Sequence, residues 1–147
     1  MSRTNNRIHL KGDYRQEEAK AASSGIYPGM LVKMNSSGNV AIHATEGGWA
    51  EKCFVMEDAL QGKTVDDVYT SGAIVTYIIA LPGTEVNALI ANGSEISIGD
   101  ILISTGDGTL EKASTAASAT IDESIVAIAM EAMSPDSGNE LFRVRVV

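Results

Sequence analysis

The 147-residue sequence has little of what enzymes and secreted proteins commonly use: it contains one cysteine, two histidines, one tryptophan and two phenylalanines. The single Cys53 cannot form a disulfide within the chain, which favours a reducing compartment. The longest apolar run, Ala73–Leu81, is far shorter than the roughly 20 residues of a membrane helix. No apolar segment follows Met1–Arg7, so we expect no signal peptide and a soluble protein.

Motifs for catalysis and metal binding are also missing. The sequence has no Cys-x-x-Cys pair, no His-x-x-x-His pair and no calcium loop, and Gly106–Gly108 lacks the lysine of a phosphate loop. His43 and Cys53 lie ten residues apart, but the acidic residues around them would raise a thiol pKa. We therefore interpret Cys53 as a structural thiol and expect neither enzymatic activity nor a cofactor or metal.

Positive charge is scarce and unevenly distributed. The net charge of −8 disfavours binding to nucleic acid and to anionic membranes. Residues 1–20 hold five basic and three acidic side chains, whereas residues 21–147 hold six basic and sixteen acidic ones. The two parts therefore carry net charges of +2 and −10, and we predict a basic N-terminal arm over residues 1–22 and an acidic domain over residues 23–147.

The predicted arm has too few apolar residues for a core of its own. We expect it to be extended and to order on a partner surface, although a frayed terminus is the plain alternative. Its candidate binding residues are Arg3, Arg7, Ile8, Leu10, Lys11, Tyr14 and Arg15. The segment 17–22 could form a short helix, and deletion of residues 1–20 is expected to leave a folded body.

Glycine, by contrast, is plentiful, and it separates short apolar segments that are typical of strands. Predicted strands cover residues 30–34, 40–44, 53–57, 73–81, 101–104, 109–112, 124–133 and 141–147. The segments 64–69 and 85–91 show weak helical signals, and 113–120 is interpreted as a loop. The sequence therefore predicts an all-β fold: a small β-barrel or β-tulip-like domain with short helical turns and an extended N-terminal arm.

The sequence contains an internal repeat. The pattern of apolar residues and glycines over Ile26–Val40 recurs over Ile96–Leu110, and every matched pair is 70 residues apart. We interpret the two copies as pseudo-symmetric hairpins within one barrel. Chance similarity between two β-hairpins is the alternative.

Trp49 follows two glycines and is open to two interpretations. It could belong to a flexible turn, with its aromatic side chain as a plug that covers the end of the barrel. It could instead be an interface anchor, because tryptophan is enriched at binding hot spots.

Several segments in succession carry a family resemblance. These are Tyr27–Val32 with Gly38–Val40, Val75–Tyr77 with Leu81–Leu89, and Ile98–Leu102 with Gly106–Leu110. In this order they resemble the capsid decoration (cement) proteins of tailed bacteriophages. The stretch Ile125–Ala132 is similar to the final strand of that family. The resemblance covers residues 24–133 and rests on the order of generic turn-and-strand patterns.

The resemblance implies a structural protein that binds the major capsid protein on the outer surface of an expanded phage head. It would lie where capsomers meet and stabilise the shell against internal DNA pressure, after synthesis in the host cytoplasm. The resemblance also implies a homotrimer, although a dimer fits this sequence equally well. No family motif matches Arg3–Lys20, so the role of the arm rests on the charge distribution alone.

Two other functions are compatible with an all-β domain. A β-clip-like barrel could bind a small ligand or a sugar acid, but no convergent set of histidine, arginine and lysine accompanies Gly99-Asp100. A secreted carbohydrate-binding module is disfavoured by the missing signal peptide and the single tryptophan.

Overall fold

The computed structural model describes residues 6–113 and 124–147, which form eleven β-strands in two sheets. The strands are β1 His9–Lys11, β2 Tyr14–Lys20, β3 Leu31–Met34, β4 Val40–Ile42, β5 Cys53–Val55, β6 Ile74–Ala80, β7 Glu85–Ile90, β8 Ile101–Ser104, β9 Leu110–Lys112, β10 Ala127–Ala129 and β11 Glu140–Val146. A 3₁₀ turn covers Ala59–Gln61, and the described residues contain no α-helix. The predicted all-β fold is confirmed. No helix in the described ranges is long and apolar enough to cross a membrane.

Each sheet curls into a small barrel. The first has the strand order β2-β6-β5-β3-β4, and a bridge between Ala21 and Val40 joins its two edges. The second has the order β7-β11-β10-β8-β9 and closes where Ile90 of β7 pairs with Leu110 of β9. Strand β1 is added to the outside of the second sheet by pairing with β7. We call β2–β6 the N-barrel and β7–β11 the C-barrel.

The two barrels are copies of one arrangement. Val32 lies opposite Ile42 in the β3–β4 hairpin, and 70 residues later Leu102 lies opposite Lys112 in the β8–β9 hairpin. The correspondence extends to the other strand pairs. In the N-barrel β2 pairs with β6, β6 with β5 and β5 with β3, and in the C-barrel β7 pairs with β11, β11 with β10 and β10 with β8. The sequence repeat is therefore structural, but it covers five strands, and its copies lie in two barrels rather than one.

Three predicted helical segments have other structures. Residues 85–91 form β7, where alternate side chains of Val86, Ala88 and Ile90 are fully buried in the C-barrel. Residues 17–20 belong to β2, and residues 64–69 form a turn in which the Asp67 carboxylate accepts hydrogen bonds from the Thr64 backbone and hydroxyl. Burial and local side-chain bonding outweigh helix propensity in these segments. Most of the predicted loop 113–120 lies outside the described residues.

Strand β6 is apolar on both faces because it has core on both sides. Val75 and Tyr77 face the interior of the N-barrel, and Ile78 and Ala80 belong to the core that the two barrels share. This shared core also includes Phe54, which is fully buried. The outer face of β6 is therefore covered by the C-barrel.

The last strand of the terminal hairpin alternates between buried and exposed side chains. β10 and β11 are antiparallel, with the side chains of Phe142, Val144 and Val146 buried and those of Arg143 and Arg145 exposed. The apolar face of β11 thus closes the C-barrel core.

The backbone of Gly29 lies against the outer face of the C-barrel. Leu89 donates its N–H to the Gly29 carbonyl at 3.0 Å. A Cβ atom at Gly29 would collide with the Leu141 side chain and approach the Asn87 carbonyl oxygen to 3.1 Å. The equivalent glycine of the second repeat, Gly99, has the same left-handed φ but no atom within 4 Å of such a Cβ.

These two glycines provide a matched test of the barrel contact. Alanine at either position incurs a left-handed backbone cost of about 1–2 kcal/mol. Gly29→Ala should lose a further ~1–3 kcal/mol through overpacking, whereas Gly99→Ala should not. Urea unfolding followed by far-UV circular dichroism measures both, and equal losses of unfolding free energy would contradict this packing.

Candidate interaction surface

Ile8 of the predicted arm is a core residue. Its side chain is fully buried in the shared core. Its backbone N–H donates to a Glu57 carboxylate oxygen at 3.0 Å, and its carbonyl accepts from the Asn87 N–H at 2.8 Å. Asn87 also donates from its side-chain amide to the Arg7 carbonyl at 2.8 Å. Ile8 is therefore unavailable for a partner in this structure.

The following residues are extended, as predicted, but they are built into the two sheets. β2 pairs with β6 along its whole length, from Tyr14 opposite Ala80 to Lys20 opposite Ile74. The charge boundary near residue 22 is therefore not a boundary between the sheets. Removal of residues 1–20 would expose β6 and the shared core. We therefore no longer expect the rest of the chain to fold without them.

The basic side chains of this segment have different environments. Lys11 forms an ion pair with Glu85 (Nζ to Oε2, 3.3 Å), and Arg143 lies 3.6 Å from the other oxygen of that carboxylate. Arg7 and Arg15 are exposed and form no ion pair within the described residues. Lys20 is likewise exposed and without an ion pair there, so these three side chains are the described cations of the segment that remain available to an acidic partner.

The two apolar residues beside these cations are only partly buried. Leu10 is half-buried, and the Tyr14 ring is 36% exposed and lies 4.2 Å from the His9 ring, measured between centroids. The remaining predicted arm residue, Arg3, lies outside the described residues. The predicted set is thus divided between the core, an ion pair and the surface.

The buried groups that hold this segment, Asn87 and Glu85, were not singled out from the sequence. Both lie in β7, which the sequence analysis interpreted as helical. In a strand, alternate residues face opposite sides, so Glu85 and Asn87 turn toward β1 while Val86 and Ala88 fill the barrel. If residues 85–90 had been predicted as a strand, its alternation would have placed Glu85 and Asn87 together on the face opposite the barrel core.

Trp49 is on the surface, with 79% of its side chain exposed. The interpretation of Trp49 as a barrel plug is therefore wrong. The loop that carries it is nevertheless fixed, because His43 contacts the Trp49 carbonyl through Nε2 at 2.9 Å and the Ser104 hydroxyl through Nδ1 at 2.7 Å. A rigidly held, exposed indole is well suited to be an interface anchor.

Cys53 is a buried thiol without the surroundings of a nucleophile. Burial, together with the charge and hydrogen bond of the neighbouring Glu51 carboxylate, raises the pKa of Cys53 to about 12. The nearest histidine in sequence, His43, has both ring nitrogens engaged elsewhere. Within the described ranges no three histidine, cysteine or acidic side chains are grouped so that they could hold a metal ion.

Comparison with solved structures relates the fold to one phage protein. The structure is similar to the N base of head fiber gp8.5 in bacteriophage phi29, with a TM-score of 0.57 and 14% sequence identity. The alignment covers 92% of this chain and 95% of that chain. No protein-family model and no curated protein sequence matches the chain. At this identity the likeness establishes a shared fold.

The raised thiol pKa leads to a prediction about reactivity. In the folded protein, Cys53 should resist alkylation by iodoacetamide at pH 8, because the reactive thiolate is scarce and the thiol is buried. In denaturing urea the rate should rise by at least about tenfold, since the thiol pKa then returns toward its ordinary value near 8.5. Mass spectrometry of timed samples measures this, and rapid labelling of the native protein would contradict the assignment.

Burial of Ile8 leads to a second prediction. Ile8→Ala should lower the free energy of unfolding by about 2–5 kcal/mol, as expected for a large-to-small change in a core. Ile98→Ala is the matched control, because Ile98 is 71% exposed and its change should stay within about 0.5 kcal/mol. Urea unfolding compares the two, and a silent Ile8→Ala would mean that the segment is detached in solution.

Proposed function

We propose that the protein is a structural component of a tailed-phage head: a capsid decoration (cement) protein on the outer surface of the expanded shell. The observation that carries this proposal is the similarity of its fold, over nearly the whole of both chains, to the base of a phage head fiber. The sequence resemblance to cement proteins points to the same class of protein. In this role it would bind the major capsid protein where capsomers meet and stabilise the shell against internal DNA pressure.

The distribution of charge supports binding through the N-terminal segment. Arg7 and Arg15 are solvent-facing cations on a chain whose residues 21–147 have a net charge of −10. They could pair with acidic groups of a capsid subunit, while the acidic remainder keeps crowded copies soluble on the outside of the shell. Because β1 and β2 are already ordered, such binding would not incur the entropic cost of folding an arm.

The exposed Trp49 supplies an apolar contact for the same partner. Its backbone carbonyl is held by His43, so binding need not order the loop that carries the side chain. In a homotrimer, three weak contacts of this kind would act together, because the second and third become intramolecular once the first has formed.

Cosedimentation with expanded heads tests the proposed function. Heads assembled from the major capsid protein of the same genome should bind the purified protein saturably, and negative-stain images should show added density on the shell surface. Trp49→Ala should weaken binding by at least about tenfold if the indole is a hot spot. Arg7→Gln with Arg15→Gln should also weaken it, increasingly so at low salt.

Matched variants separate these contacts from general effects. Leu60 is 94% exposed, so Leu60→Ala removes an apolar side chain without loss of core and should leave binding unchanged. Lys63→Gln with Arg145→Gln removes two exposed cations elsewhere and should have a smaller effect than the pair in the N-terminal segment. Absence of added density on heads, with the wild-type protein folded, would overturn the cement role; light scattering of the free protein measures whether it is a trimer.

A further inference from the structure

A cavity of about 240 Å³ lies at one end of the N-barrel. Val32, Cys53 and Tyr77 form its inner wall, and the exposed residues Glu17 and Glu51 are also part of its lining. The volume is below the roughly 300–1,000 Å³ of most small-molecule sites, so it suits one flexible side chain or a short aliphatic ligand.

The C-barrel shows how unusual this lining is. Glu17 lies opposite Tyr77 in β2–β6, and the equivalent pair in β7–β11 is Val86 opposite Val144, both fully buried. Cys53 likewise corresponds to the fully buried Ala127. At these positions of one repeated architecture, the C-barrel has two valines where the N-barrel has a glutamate and a tyrosine.

The corresponding end of the C-barrel is also covered. Ser104, the equivalent of Met34, is fully buried and bonded to the His43 side chain, which the loop after β4 brings across from the N-terminal half. Met34 lines the cavity and is 49% exposed. Within the described residues, no equivalent polar side chain bonds at this end of the N-barrel.

Among the residues that the structure describes, the two carboxylates of the cavity have no cationic partner, and its tyrosine hydroxyl has no hydrogen bond. Neither Glu17 nor Glu51 forms an ion pair within the described residues, although the exposed cations Arg15 and Lys33 are close in sequence or in the lining. Tyr77 is only 7% exposed, and its hydroxyl makes no hydrogen bond in the described part of the chain. A buried phenol without a partner costs free energy that a ligand could recover.

The electrostatics of the cavity favour a cation. Desolvation raises the pKa of Tyr77, and the neighbouring Cys53 thiol and the carboxylates of Glu17 and Glu51 raise it further. Glu51 also raises the pKa of Cys53. The lining holds the two carboxylates of Glu17 and Glu51 against the one ammonium of Lys33, a net charge of −1. In a partly desolvated space this excess attracts a positive group more strongly than it would in water.

We propose that this cavity binds an alkylammonium or alkylguanidinium group. The aliphatic stem would lie along Val32, Met34 and Ile79, and the charged head would donate hydrogen bonds to Glu17, Glu51 and the Tyr77 hydroxyl oxygen. The ligand occupies the place that His43 fills at the end of the C-barrel. This site is independent of the proposed attachment to phage heads, which uses other residues.

Two sources share this chemistry. One is a lysine or arginine side chain presented by a partner protein, and the other is a free short-chain diamine. Two kinds of probe distinguish these sources: amino acids with both termini capped as amides, and a diamine. Only the capped amino acids carry the flanking peptide groups that a partner protein would present.

Isothermal titration of the full chain tests the site with three probes: N-acetyl-lysine methylamide, N-acetyl-arginine methylamide and 1,4-diaminobutane. The expected result is saturable binding of at least one cationic probe and none of n-butanol, which has a similar stem without charge. Amide chemical shifts should change first around Cys53 and Tyr77. Saturable binding by the capped amino acids assigns the site to a partner side chain, and binding by the diamine alone assigns it to a small amine.

Matched variants locate the site. Glu17→Gln should weaken binding by about fivefold, and Glu18→Gln, the same change on the neighbouring exposed residue, should leave it unchanged. Tyr77→Phe retains the ring and should weaken binding by about threefold through the lost hydroxyl contact. Equal weakening by Glu17→Gln and Glu18→Gln, or no saturable binding of any cationic probe, would overturn the proposal whatever the result with phage heads.

Discussion

The rest of the structure depends on the close contact between the Gly29 turn of the N-barrel and the outer face of the C-barrel. Leu89 donates to the Gly29 carbonyl, and Leu31 donates to the Gly108 carbonyl, so the two barrels share backbone hydrogen bonds as well as side chains. These bonds require the backbones to approach more closely than a side chain at Gly29 would permit. With the barrels in register, Phe54 can be buried between them, and a chain of small five-stranded units gains one larger core.

The strands with clear alternation or clear turn signals could be predicted from the sequence. β11 is an example, because one face of Phe142, Val144 and Val146 alternates with two arginines. β7 could not be predicted in this way, since both of its faces are buried and the polar Glu85 and Asn87 lie among apolar residues. Their burial depends on β1, a partner that is more than 70 residues away in sequence, and local pattern contains no information about it.

The sequence was sufficient to predict the positive charge of the N-terminal segment, but not where the segment lies in the fold. The excess of basic residues before residue 21 is a property of the sequence, and Arg7 and Arg15 are exposed cations as the charge distribution suggested. The same sequence gave no sign that Ile8 completes a core formed by much later strands. An isolated apolar residue in a polar segment fits either a flexible terminus or an edge strand, and only the tertiary contacts decide between them. The cavity was missed for a related reason, since its lining comes from five strands.

The relation between the two barrels has a consequence for how such a chain could arise and change. Gly29 is packed against the other barrel and its counterpart Gly99 is not, so the repeats meet through different surfaces, in the head-to-tail manner called heterologous in oligomers. If the chain descends from a duplicated ancestor, that contact gave each copy a separate set of selective constraints. Val86 of the C-barrel and Glu17 of the N-barrel are equivalent positions. A change from valine to glutamate there could then be tolerated in the N-barrel alone. One half would preserve a fully packed core, while the other was free to acquire polar side chains at one end of its barrel.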